Sequence, residues 1–96
     1  MKGLLKMKLN ENFLIHDTGN GEILIAVGEE TKRFHGIVKL NETGAEICHL
    51  IENDDLSLKE ICNHFYEKCP DDDKEMINKG VSDFIEQLKK INAIKL

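Results

Sequence analysis

The chain has 96 residues, of which 41% are hydrophobic, and a formal net charge of -5. That length makes one domain with a modest core. The acidic balance argues against a general nucleic-acid binder, which needs a basic face for phosphates, and against docking on an anionic membrane surface.

No stretch approaches the roughly 20 apolar residues that a membrane span needs. The opening Met1-Lys2-Gly3-Leu4-Leu5-Lys6 has too short an apolar run for a signal peptide. Met7 is a second candidate start, and residues 1–11 read as a flexible extension. The expectation is a cytoplasmic protein. Cys48, Cys62 and Cys69 make an odd count with no export signal, which reads as free thiols. One tyrosine, four phenylalanines and no tryptophan leave little aromatic surface for stacking bases or sugars.

The pattern is β-like before about residue 41 and helical after it. Asn12 to Asp17 reads as a first strand with Phe13 and Ile15 on one face. Thr18-Gly19-Asn20-Gly21 is a turn, with Asn-Gly supplying the positive φ angles of a tight hairpin. Glu22 to Val27 reads as a second strand, residues 28–32 as a polar loop, and Phe34 to Leu40 as a third strand. Asn41 is a helix N-cap, and a first helix follows from about Glu42 to Ile51 with Ile47, Cys48 and Ile51 inward. Ser57-Leu58-Lys59-Glu60 is a capping box. It opens a second helix to about Lys68, striped by Leu58, Ile61, Cys62 and Phe65. Asp71-Asp72-Asp73 favours the start of a third helix to about Lys90. Ile77, Val81, Phe84, Leu88 and Ile91 are spaced for burial along it. Ile94 and Leu96 form an apolar tail that covers the core or pairs weakly. Three strands followed by three helices make an α+β domain.

Catalytic and metal chemistry find no support in the spacing. His16, His35, His49 and His64 form no His-x-x-x-His pair with one another, and the cysteines no Cys-x-x-Cys pair. Buried cysteines and surface histidines are preferred to a metal site. Cys69 has acidic neighbours, and nothing around it signals an activated nucleophile. Gly19 and Gly21 belong to a turn and make no phosphate cradle. The Asp71–Asp73 run caps a helix in preference to binding calcium, since it lacks alternating ligands.

An interaction surface remains. Gly80 stands inside the third helix at a cost of about 1 kcal/mol against Ala. Close packing on a neighbouring helix is the preferred explanation, and room for a partner is the alternative. A third strand at a sheet edge is either a solvated edge or a site for strand addition by a peptide. Lys32, Arg33 and Lys39 lie near it and would attract an acidic peptide.

At Leu40-Asn41-Glu42-Thr43-Gly44-Ala45 the sequence resembles the PqqD-like family of RiPP recognition elements. The strands at 13–17, 22–28 and 34–40, the second helix and the third helix at 81–88 resemble the family in order. The chain departs in having Cys48 where members often carry Trp, and Asn53-Asp54 where a Gly is common. It also has Asn92-Ala93-Ile94 where a Gly often precedes a final apolar pair. The resemblance implies a winged helix-turn-helix fold, a three-stranded antiparallel sheet followed by three helices, without catalysis or cofactor. It implies that a precursor's leader peptide adds to the third strand and lies between it and the third helix. Carried over, the strand side is Phe34, His35, Gly36, Ile37, Val38 and Lys39. The helix side draws on Met76, Lys79, Gly80, Asp83 and Gln87. The implied partners are the leader and a peptide-modifying enzyme, usually a radical SAM maturase, with neither nucleic acid nor membrane.

Three rivals stand beside this reading. A winged-helix DNA-binding regulator shares the fold, but Lys74, Lys79, Lys89 and Lys90 are interspersed with Asp72, Asp73, Asp83 and Glu86. A small enzyme has no residue set to support it. An oligomerisation module, or a homodimer through the strand edge, is compatible with peptide binding.

Overall fold

A computed structural model describes residues 6–28 and 37–95. The fold is α+β, with two antiparallel sheets and three helices. Among the described residues the elements follow in the order β1 (Lys6–Leu9), β2 (Phe13–Asp17), β3 (Glu22–Ala26), β4 (Ile37–Leu40), α1 (Glu42–Asn53), β5 (Leu56–Ser57), α2 (Leu58–Lys68), α3 (Lys74–Lys90) and β6 (Ile94–Lys95).

The expected three-stranded sheet is present in the order β2-β3-β4. Alternation sets its two faces. Phe13, Leu24, Ala26 and Leu40 are buried on the inner face. On the outer face Ile25 stands opposite both Leu14 and Ile37, and these two flanking residues are exposed. The hairpin differs from a two-residue Asn-Gly turn. Its loop is residues 18–21, and the positive φ angles fall on Gly19 (89°) and Gly21 (132°) instead of Asn20. Asp17 and Thr18 side chains stabilise this longer loop, Oδ1 of Asp17 accepting from the Gly19 amide at 2.8 Å and the Thr18 hydroxyl donating to the Gly21 carbonyl at 3.0 Å. Of the expected strand 34–40, residues 34–36 lie outside the described residues, as do Lys32 and Arg33 of the basic cluster.

A second, small sheet has the order β5-β1-β6. Residues 6–11, expected as part of a flexible extension, are instead tied into the body. Met7 and Leu9 are buried, Met7 stands opposite Leu56, and Leu9 stands opposite Ile94. The apolar tail therefore pairs, with the chain's first strand as its partner.

The helix boundaries follow their caps. Asn41 Oδ1 accepts the Gly44 amide at 2.7 Å. At Ser57 the full capping box forms, with Oγ accepting the Glu60 amide at 3.1 Å and Glu60 Oε1 accepting the Ser57 amide at 2.9 Å. Asp73 caps α3 through the Glu75 amide at 2.8 Å. Leu58, expected in the buried stripe, is the first helical residue after the cap and is exposed. On α3, Val81, Ile85 and Leu88 are buried, while Ile77 and Phe84, with Ile91 just past the helix end, pack at the margin of the core. Ile85 thus takes an inward position that the spacing had given to Phe84.

Asn92 ends α3 with a φ of 64°. Its amide bonds to the Lys89 carbonyl at 3.0 Å and the Ala93 amide to the Leu88 carbonyl at 2.8 Å, which is the Schellman closure. Asn is among the few residues other than Gly that tolerate this left-handed conformation. Asn92 therefore takes a left-handed position for which Gly is the usual residue.

Candidate functional site

Strand β4 occupies one edge of its sheet. Among the described residues it pairs with β3 alone, so the backbone groups of its other edge face away from the sheet. Ile37 and Lys39 are exposed on the outer face, and Val38 and Leu40 turn toward the core. The last residue of β4 leads through Asn41 directly into α1.

At that junction lies a groove of about 500 Å³. Thr43 and Gly44 at the start of α1 form one wall, and Met76, Ile77, Gly80 and Phe84 of α3 form the other. Ile47, Phe65 and Val81 lie beneath, and Cys69, Asp72 and Asp73 close the end nearest α2. Two glycines shape this space in opposite ways. A Cβ on Gly44 would stand 3.0 Å from Phe84 Cε1, so α1 and α3 approach closely there. A Cβ on Gly80 would meet nothing within 4 Å. Close helix packing, the preferred explanation for Gly80, is therefore replaced by open space, and the close approach belongs to Gly44.

The expected contact residues divide accordingly. Phe34, His35 and Gly36 lie outside the described residues. Ile37, Val38 and Lys39 stand on the edge strand, and Met76 and Gly80 line the groove. Lys79 and Asp83 do not line it; they pair with each other at 3.0 Å on the exposed side of α3. Gln87 is exposed and does not line it either. Sequence reasoning missed Thr43, Gly44 and Phe84 as groove residues. The one available signal was the Thr-Gly pair directly after the Asn41 cap, where a residue without a side chain admits a neighbouring helix.

Charges elsewhere serve the scaffold. Glu46 of α1 bonds His64 and Lys68 of α2, and these partners, Lys68 first, hold its carboxyl below the usual range. His49 of α1 lies 2.7 Å from Glu22 of β3 and 3.3 Å from Glu52. The hydrogen bond to Glu22, and then that to Glu52, raises the His49 pKa against partial burial. Burial pushes the Cys48 thiol up to about 12 and raises Cys62, so both stay protonated and act as core filler. Among the described residues no group of three His, Cys, Asp or Glu side chains is placed to hold a metal ion, and no helix is long and apolar enough to cross a membrane.

Comparison with protein families gives a match to the model of coenzyme PQQ synthesis protein D over residues 23–94, well over half of the chain. The chain belongs to the PqqD family. The match starts inside β3 and runs through β4, all three helices and the first residue of β6, so it contains every described residue of the edge strand and groove. Neither the curated proteins nor the solved structures gave a match. PqqD proteins are accessory proteins of peptide-derived coenzyme synthesis, and membership gives the chain a role there as partner of a maturase and its precursor peptide.

Proposed function

We propose that the chain is a non-catalytic adaptor that binds the leader of a ribosomally made precursor and presents it to a modifying enzyme, a radical SAM maturase. The leader adds as a strand along the outer edge of β4 and continues beside α3. Backbone hydrogen bonds supply affinity, and alternate side-chain pockets set the register. Holding the leader raises the effective concentration of the attached core peptide at the enzyme.

The observation that supports this reading is that β4, paired with β3 alone among the described residues, leads at Asn41 into the lining of an open, largely apolar groove against α3. A solvated edge alone would need no groove. The Lys79–Asp83 pairing and the acidic residues on α3 speak against the same helix reading DNA.

The test is an amide NMR titration of the labelled protein with the leader of a precursor encoded beside it. Saturable shifts at residues 37–40 and along the groove side of α3 are expected. Shifts confined to other surfaces, or none at all, would overturn strand addition for that leader. Salt-dependent binding to duplex DNA would transfer the case to the regulator reading.

A further inference from the structure

Strand β3 is apolar on both faces. Leu24 and Ala26 are buried on the inner face, and Ile23 and Ile25 alternate to the outer one. An antiparallel sheet with one solvated face alternates apolar and polar residues, whereas a continuous apolar run belongs to a strand covered on both sides. Here the outer face is open. Leu14 and Ile37, which flank Ile25, are each 54% exposed. They are two of the four large apolar residues exposed among the described residues. The next row sets Ile23 between His16 and Lys39. Both of these are exposed, and neither makes an ion pair with another described residue. Asp17 and Glu22 alternate to the inner side, where Glu22 holds His49 of α1. A chain of net charge -5 thus carries, on the described strands, a sheet face of four branched apolar residues with His16 and Lys39 and no carboxylate.

We propose that this outer face is the surface by which the domain docks on its modifying enzyme, against an apolar patch rimmed by Asp and Glu. The inference rests on the adaptor reading above for the identity of the partner, and it assigns the surface that this partner takes. Three strands with four paired residues make a face on the order of 200 Å². A stable dimer needs about 800 Å² from each copy. A second copy would also bring Lys39 and His16 together with no carboxylate on either face to answer them. An anionic membrane is opposed by the net charge and by a single lysine on the face. A small apolar centre with a basic rim suits a transient encounter with an acidic-rimmed protein surface. A leader strand paired to β4 lies in the plane of the sheet, so the outer face stays open while the edge is occupied. Every second side chain of that leader joins the same face.

The test titrates the unlabelled maturase encoded beside the chain into the full chain labelled at its Leu and Ile methyl groups, with and without leader. The methyls of Leu14, Ile23 and Ile25 are expected to respond, and those of Leu58, exposed on α2, to stay still. Leu14→Glu should weaken maturase binding by about ten-fold, the scale of an apolar anchor, and leave leader affinity unchanged. Leu14→Thr keeps a strand-favouring residue and should weaken it in the same direction, which separates docking from misfolding. His16→Glu should weaken it by a few-fold through repulsion from the acidic rim. Leu58→Glu should match the wild type. Wild-type maturase affinity in both Leu14 variants, an equal loss in Leu58→Glu, or a maturase that moves none of the β2 and β3 methyls overturns the docking face. Uptake of phosphatidylglycerol vesicles through the same methyls gives the face to a membrane, and a dimer lost in Leu14→Glu gives it to a second copy; either result overturns the proposal. A leader that leaves residues 37–40 unmoved, while the maturase still moves the β2 and β3 methyls, sinks strand addition and leaves the docking face standing.

Discussion

Asn10 is polar, 8% exposed and placed between two parts of the chain far apart in sequence. Its side-chain amide donates to the Asn92 carbonyl at 2.8 Å, and its side-chain oxygen accepts the Asn12 amide at 2.9 Å. Its backbone amide donates to the Ala93 carbonyl at 2.7 Å. The side chain therefore fixes both the turn into β2 and the Schellman end of α3. Asn10→Ala leaves two backbone groups without these partners in a part-buried place, and the expected cost is about 1–3 kcal/mol. Urea unfolding of the variant checks this, and a change within the error of the wild type would remove Asn10 from the scaffold. Nothing in the sequence marked this residue, because two of its three partners, Asn92 and Ala93, lie more than 80 positions away. Asn41, Ser57 and Asp73 were readable because a cap and its partner sit within three residues.

At the scale of elements, the larger sheet and the three helices were legible because each repeats its apolar period several times. Strands β5 and β6 have two residues each and no period to read. Strand β1 offers only Met7 and Leu9 between lysines. The groove was half legible: Gly80 stood out inside a helix and Met76 came only with the family resemblance, but the Gly44–Phe84 contact joins two helices whose packing no local pattern fixes. The larger sheet is joined to α1 by a titrating contact, His49 with Glu22 and Glu52. The folded pKa of His49 is raised above its ordinary 6.5. Its contribution to stability is therefore complete below that value and fades as pH rises through the folded pKa. The His49 side chain is 48% exposed, so screening holds the effect to about 1 kcal/mol or less. The expected result is that His49→Ala is less stable than the wild type near pH 6, with the difference shrinking toward pH 9. A difference independent of pH would assign His49 a packing role only.

For the whole molecule, the second sheet makes the first strand a structural member. Met7 and Leu9 are 4% and 6% exposed and belong to the same core as Leu24, Ile51 and Leu88. Truncating one such residue to Ala costs about 2–5 kcal/mol, against a total stability of about 5–15 kcal/mol for a domain. Deleting residues 1–11 removes both, together with the Asn10 bonds, and exposes the paired edges of β5 and β6. The shortened chain is expected to lose most of its cooperative unfolding, read by circular dichroism on heating. A chain that still melts sharply at the original temperature would return this segment to the status of an extension. The family match begins after it, at residue 23, so the segment is a part of the scaffold that the family pattern does not describe.

The antiparallel pairing of Lys8 with Lys95 has one more consequence. The two outermost described segments of the chain are neighbours in space, and both leave the body from the same small sheet. A linker of a few residues could join them into a ring, and the ring could be reopened at the exposed Thr18–Gly21 turn without breaking any strand pairing. The order in which the chain is threaded is thus separable from the shape it makes, and new ends at that turn would sit beside the sheet that carries the edge strand.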